Sequence, residues 1–293
     1  MTNPRVCAVM LVDGRPEMVW RALNSFFRQT YEDKKLLIYD TGEVPYANDW
    51  SDIHDIPWRT NYMRARRYSI HEPGEGRRKV GELRNAANAE ADTDIIVHWD
   101  SDDWSAPERI AEQVELLVGS GKLKHHPLAP EVCGYSDMLF WDTRPIASAK
   151  IDPATGKETL ALNEAWLYTG SPRYMLGSSL CYWRDTWKRK PFPAKNQGED
   201  TQWQMGLQSL SVKSTSIKIF VPGIRRDETE AQFKVRFDAE CKRVYQESID
   251  HPNSTSRMVC SIHGGNIASH VDQRSRQWRR VPEWDDYCRK VMA

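Results

Sequence analysis

The feature that most constrains this chain is a short apolar run, Asp94-Ile95-Ile96-Val97, that ends abruptly in His98-Trp99-Asp100-Ser101-Asp102-Asp103. The run is too short for a helix core and reads as a buried strand, and an open α/β sheet builds its site at the carboxyl end of such a strand. Three carboxylates crowded between Asp100 and Asp103 repel one another, and a hard divalent cation, Mg²⁺ or Mn²⁺, would offset their charge. By the two-residue strand period Asp100 and Asp102 share one side of an extended segment, so both can face one ion or one ion-bound diphosphate. For an isolated Asp-x-Asp the plain alternative is a solvated turn capping the next helix.

The flanking sequence repeats the strand-to-carboxylate pattern. Val6 to Val12 is a continuous apolar run closed by Asp13-Gly14-Arg15-Pro16, a buried first strand and its turn. Val19, Leu23, Phe26 and Phe27 then fall at helical spacing, and Leu36-Leu37-Ile38-Tyr39 ends in Asp40-Thr41-Gly42. Strand, helix, strand implies a right-handed parallel crossover. Between Glu43 and Glu75 the chain reads as loop with one short strand near Tyr68-Ser69-Ile70. Gly81 to Ala91 reads as a short helix. Ser105-x-x-Glu108 with Pro107 signals a helix start, with Ile110, Val114 and Leu117 as its buried stripe up to Gly119.

Beyond Gly121 the pattern becomes antiparallel. Val132 to Trp141 reads as strand, Pro153-Ala154-Thr155-Gly156 as a hairpin turn, and Trp166 to Trp187 as aromatic strand segments around Gly170 and Gly177. Gly198-Glu199-Asp200 opens a predicted helix over Thr201 to Leu210, whose dipole would welcome acids in its first turn. Helical pattern returns in Ala231 to Ser248, followed by the apolar patch Met258-Val259-Cys260 and then Ile262-His263-Gly264-Gly265-Asn266.

With 293 residues of which 40% are hydrophobic, the chain can bury a substantial core. Its 41 basic and 41 acidic residues cancel, so no global field draws in nucleic acid or an anionic membrane. Arg274, Arg276, Arg279 and Arg280 around Trp278 read either as a solvated helix face or as a local phosphate contact. No apolar stretch approaches the ~18 residues of a membrane-spanning helix. Cys7, Cys133, Cys181, Cys241, Cys260 and Cys288 form no Cys-x-x-Cys pair and read as buried reduced thiols. The expectation is a soluble cytoplasmic protein, at most peripheral to a membrane.

Several segments in order carry a resemblance: Ser25-Phe26-Phe27-Arg28-Gln29-Thr30-Tyr31, Tyr39-Asp40-Thr41-Gly42, Gly81-Glu82-Leu83-Arg84-Asn85, Asp100-Ser101-Asp102-Asp103 and Gly198-Glu199-Asp200. Over roughly residues 5 to 210 the chain resembles a family 2 glycosyltransferase of the GT-A fold. The resemblance implies an α/β, Rossmann-like fold with a mainly parallel central sheet, an added antiparallel part and a helical C-terminal extension. It divides the chain into a glycosyltransferase domain over residues 1–222, with a nucleotide-sugar-binding half at 1–120 and an acceptor-side half at 121–222. Residues 223–293 form an extension packing on or near the active site.

The resemblance also assigns roles. Asp40 is similar to the aspartate that accepts hydrogen bonds from uracil or ribose, although many members have two adjacent acids where this chain has Tyr39-Asp40. Arg84 and Asn85 would face the nucleotide and its diphosphate, where a guanidinium fork suits phosphate oxygens, and Lys79 lies nearby. Asp102 would be the principal metal ligand, Asp100 would reach the ribose or the metal through water, and His263 could complete the coordination. Asp200 is the candidate base that removes the acceptor hydroxyl's proton, with Glu199 its competitor. Trp203 either stacks under the sugar or packs in the core.

The activity this implies is metal-dependent, inverting transfer from a nucleotide sugar, a UDP-sugar foremost, with Mn²⁺ or Mg²⁺. The acceptor could be a glycan, a lipid-linked glycan, a protein or a modified nucleic acid, and oligomers are possible. Two other readings stand beside it. A nucleotidyltransferase or other Mg²⁺-dependent phosphoryl-transfer enzyme also uses strand-end aspartates, yet Val12-Asp13-Gly14-Arg15-Pro16 makes a poor phosphate-cradling loop. The last is a non-catalytic nucleotide-sugar-binding module.

Overall fold

A computed structural model describes residues 3–42, 63–67, 71–72, 76–119, 130–142, 150–151, 158–159, 164–170, 174–214, 229, 232, 235, 256–263 and 276–293. Among the described residues, eleven strands make one sheet. They are β1 (Val6–Val12), β2 (Lys34–Asp40), β3 (Met63–Arg67), β4 (Ile95–His98), β5 (Trp104–Ser105) and β6 (Val132–Asp142), then β7 (Glu164–Thr169), β8 (Cys181–Trp183), β9 (Ser209–Lys213), β10 (Met258–Ile262) and β11 (Trp278–Arg280). The helices are α1 (Pro16–Phe27), α2 (Val80–Glu90), α3 (Arg109–Val118), α4 (Arg184–Arg189), α5 (Glu199–Gln204) and α6 (Asp285–Met292).

The sheet runs β11-β7-β6-β8-β4-β1-β2-β3. Its β4-β1-β2-β3 end is wholly parallel. β1, β4 and the Leu36 to Asp40 part of β2 are buried on both faces, which is why β1, Leu36 to Tyr39 and Ile95 to Val97 read as apolar runs. Val6, Ala8, Met10 and Val12 of β1 point to one face, against Val19, Ala22, Leu23 and Phe26 of α1 and Ile110, Val114 and Leu117 of α3. Cys7 and Val9 point to the other, with Leu37 and Tyr39 of β2 and Ala87 of α2. Each Å² of apolar surface that these two faces remove from water stabilises the parallel half by about 25 cal/mol.

Short β8 joins the halves, antiparallel to both β4 and β6. The long β6 is the spine of the second half, with β7 antiparallel to it and β9 and β10 parallel. β11 closes the β7 edge. The chain beyond Ser256 therefore contributes two strands as well as α6, whose Cys288 and Met292 pack with Leu139, Trp141, Ala165 and Val259.

Several expected elements differ. The strand beyond β2 is Met63–Arg67, while Tyr68-Ser69-Ile70 lies outside the described residues. Ser105 belongs to β5 and does not cap α3; its hydroxyl accepts from Arg109 Nη1 at 2.9 Å. Trp187 is helical, in α4. The helix that opens at Glu199 ends at Gln204, and Leu210 belongs to β9, because Leu210 packs beside Cys133 and Cys181 in the main core. Arg279 and Arg280 lie on a strand, with Arg280 Nη2 2.5 Å from Asp285 Oδ2. The Pro153 to Gly156 turn, Cys241 and nearly all of Ala231 to Ser248 lie outside the described residues. The five described cysteines are buried and free, and no described helix is long and apolar enough to cross a membrane.

Candidate functional site

β4 delivers the acidic segment at the carboxyl end of the parallel strands, where backbone bonds fix it. His98 N–H donates to Leu180 O and Trp99 N–H to Val9 O. The next residues leave the extended conformation, and Ser101-Asp102 form a turn. The turn, and not the two-residue strand period, gathers Asp100, Asp102 and Asp103 so that one ligand oxygen from each lies within 4.8 Å of the others. Asp103 therefore joins the pair expected from sequence.

β10 grips this turn from the far end of the chain. The Asp103 carboxylate accepts from Ser261 N–H at 3.2 Å and from the Cys260 thiol at 2.9 Å. Asp102 Oδ2 lies 2.8 Å from His263 Nε2, and that same nitrogen is 3.3 Å from Arg15 Nη1. Burial pushes the Asp103 carboxyl well above the usual carboxylate range, with the Asp102 and Asp100 charges adding to it. Burial also raises Asp100, and Arg84 works against that rise. Crowded, desolvated carboxylates of this kind are costly unless a cation sits among them. Three hard oxygen donors with an imidazole alongside fit a divalent ion such as Mg²⁺ or Mn²⁺.

Arg84 links this cluster to the second pair of acids. Its side chain is only 9% exposed, with Nη2 3.9 Å from Asp100 Oδ1 and Nε 3.3 Å from Glu199 Oε1. Burial disfavours the guanidinium charge, yet Asp100 and Glu199 outweigh it and the Arg84 pKa rises. Gly81 makes the placement possible: a Cβ there would fall 1.9 Å from Pro193 O, so only glycine lets α2 approach so closely. Asn85 is spent on the same contact, its Nδ2 donating to Phe192 O while its Oδ1 accepts from Phe192 N–H and the Trp187 indole. Lys79 is exposed at the start of α2, where its N–H donates to Glu82 Oε2.

Glu199 and Asp200 stand in the first turn of α5. Burial raises the Glu199 carboxyl against the pull of Arg84. Asp200 Oδ1 accepts from Thr201 N–H at 2.7 Å. Its Oδ2 lies over Gly177, where an added Cβ would come within 2.3 Å. Trp203 is fully buried and stacks on Phe192 at 4.6 Å between ring centres, so it belongs to the core. Asp40 is buried at the end of β2 with Oδ1 accepting from Gly42 N–H, while Thr41 is pinned on Val12 O. The structure thus gathers Asp100, Asp102, Asp103, His263, Arg84 and Glu199 by direct contacts and sets Asp200 beside them.

Sequence reasoning missed the frame behind these residues. The turn Gly177–Ser179 presents three successive carbonyls, each held by a buried side chain. His98 Nδ1–H donates to Gly177 O at 2.7 Å, Arg109 Nη2 to Ser178 O at 2.9 Å and Gln113 Nε2 to Ser179 O at 2.6 Å. His98 Nε2 accepts from Tyr182 Oη, which accepts from Asn88 Nδ2. Burial, with Arg84 nearby, holds the His98 pKa well below its ordinary value and keeps the ring neutral. The one available signal was the pair Arg109 and Gln113 lying one turn apart beside the apolar stripe of α3.

Residues 7–123 match the family model described as glycosyl transferase family 2. The search of curated proteins finds no match. Among solved structures, the chain is similar to S. aureus TarS 1–349 in complex with UDP-GlcNAc, at 12% identity and a TM-score of 0.48 over 91% of this chain and 62% of that one. It is similar to the mannosyltransferase PcManGT from Pyrobaculum calidifontis in complex with GDP-Man and Mn²⁺, at 14% identity and a TM-score of 0.47 over 87% and 67%. GalNAc-T7 with UDP, GalNAc and Mn²⁺ gives 11% identity and a TM-score of 0.49 over 72% and 43%. The chain spans 54% of the length of another TarS 1–349 structure that it matches.

Proposed function

We propose that the chain, whose residues 7–123 match the glycosyl transferase family 2 model, is a metal-dependent, inverting glycosyltransferase that moves a sugar from a nucleotide sugar, a UDP-sugar foremost, to an acceptor hydroxyl in the cytoplasm. The observation that carries this reading is the three-carboxylate turn at the end of β4, joined through Arg84 to the acid pair on α5.

In this reading Asp102, Asp100 and His263 hold Mg²⁺ or Mn²⁺. When bound, the ion supplies Lewis-acid neutralisation of charge on the departing diphosphate. Asp103 keeps the turn closed through Ser261 and Cys260. Asp40, at the end of β2, takes the base or ribose. Arg84 sets the relative positions of Asp100 and Glu199 and lends positive charge to the diphosphate side, while Asn85 and Lys79 support the start of α2.

Asp200 accepts the acceptor's hydroxyl proton as that oxygen bonds to the anomeric carbon and the bond from that carbon to the phosphate oxygen breaks. Glu199 suits this duty less, because its carboxylate is ion-paired with Arg84 and its side chain is 8% exposed.

The test is release of nucleoside diphosphate from a panel of nucleotide sugars with Mn²⁺ or Mg²⁺, comparing wild type with Asp102→Ala and Asp200→Asn. Metal-dependent turnover of one donor that both variants lose supports the assignment. Neither turnover nor binding of any donor would sink it.

A further inference from the structure

Arg15 is the one described non-glycine residue with positive φ, at φ 61° and ψ 62°. An L-residue is strained in this left-handed region, and an arginine has no local hydrogen bond of the Asn or Asp kind to offset it. Such strain persists where the surroundings over-determine a conformation, and it clusters at functional sites. Here it turns the chain from β1 into α1 and sends the Arg15 side chain toward the acidic turn.

The guanidinium arrives with donors to spare. Arg15 Nε is buried and has no hydrogen-bond partner. Its Nη1 lies 3.3 Å from His263 Nε2, but that nitrogen is also 2.8 Å from Asp102 Oδ2. One imidazole nitrogen cannot donate to the carboxylate and accept from the guanidinium at once. A cation-type cluster therefore has, one imidazole away, a guanidinium whose Nε finds no acceptor among the described residues.

We infer that Arg15 binds a phosphate oxygen of the donor's nucleoside diphosphate. The inference rests on the nucleotide-sugar reading above and adds a residue to that site. A planar guanidinium matches phosphate oxygens in pairs. The site lies at the amino-terminal end of the twelve-residue α1, where the helix dipole favours an anion. The loop Val12–Pro16 offers little backbone cradle because Pro16 lacks an N–H, so a side chain brings the positive charge instead.

The experiment is calorimetric titration of wild type, Arg15→Gln, Arg15→Lys and Arg15→Gly with UDP and with uridine, once with Mn²⁺ and once with EDTA, alongside melting curves. Arg15→Gln and Arg15→Gly should weaken UDP tenfold or more under both conditions and leave uridine unchanged, and Arg15→Lys should fall between. Arg15→Gly should melt at or above the wild-type temperature, because glycine adopts this backbone freely. Wild-type UDP affinity in Arg15→Gln would overturn the inference alone. So would a loss confined to Mn²⁺, which would make Arg15 a partner of His263 rather than of phosphate, or an equal loss of UDP and uridine with a lowered melting temperature. If wild type binds neither UDP nor any other nucleoside diphosphate of the panel, the donor reading fails and takes this inference with it.

Discussion

Glu199 and Asp200 are adjacent acids whose surroundings divide their duties. Glu199 is buried against Arg84, whereas Asp200 keeps one oxygen on Thr201 N–H and the other over Gly177. Replacing Asp200 by Asn should lower kcat by about 10²- to 10⁴-fold with little change in donor KM. Glu199→Gln should cost less in rate and more in stability, since it leaves a buried guanidinium short of its partner, a loss of roughly 3 kcal/mol. Steady-state kinetics beside denaturant melts separates the two, and a larger rate loss in Glu199→Gln would reverse the assignment. The resemblance put Asp200 ahead of Glu199, but no local signal gave the physical reason, because that depends on a partner 115 positions from Glu199. Asp100 and Asp102 were legible for the opposite reason: carboxylates within three residues of one another carry their repulsion wherever the chain goes.

At the scale of elements, the Gly177–Ser179 turn is the joint between the metal-type turn and α5. Gly177→Ala would push a methyl into the Asp200 carboxylate, and displacement of about 1 Å at such a position can cost ~10²-fold in rate. The expected outcome is an enzyme that folds but turns over slowly, read from circular dichroism and kinetics together. His98 holds the same turn as a neutral ring. Its folded pKa is depressed, so its stabilising effect is fully present above pH 6.5 and declines as pH falls below that value. The slope from this group is up to ~1.4 kcal/mol per pH unit. Wild type should lose more stability than His98→Gln between pH 7.5 and 5, and parallel profiles would exclude the role. Of this frame, the sequence carried a signal only in the one-turn spacing of Arg109 and Gln113. A histidine after an apolar strand, or a glutamine beside a helical stripe, shows its use only when the carbonyl it must satisfy is in place.

At the scale of the molecule, the end of the chain returns to the middle of the sheet. β10 lies beside β6 and brings Cys260, Ser261 and His263 onto the acidic turn, while Val281, Trp284 and α6 cover Leu139, Trp141 and Ala165. A chain stopped before Ser256 should lose cooperative unfolding, because Leu139, Trp141 and Ala165 would be uncovered. In the intact protein, Mn²⁺ at about a hundred times its Kd should stabilise by ~2.7 kcal/mol, a rise of several degrees in Tm that Asp102→Ala abolishes. An unchanged Tm in wild type would remove the metal from the site. The sequence by itself determined β1, β2 and β4 of the parallel half, the helices α1, α2 and α3 that flank them and the location of the acids, but not β3. Those rest on local periodicity and on charge between near neighbours, which every short window of the chain displays. Only the tertiary structure decided that Arg84 joins two acid clusters, that Asp103 is held by β10, that Trp203 is core and that Arg15 faces His263. Each of those depends on contacts between segments far apart in the chain, and their energy exists only once the sheet has closed around them.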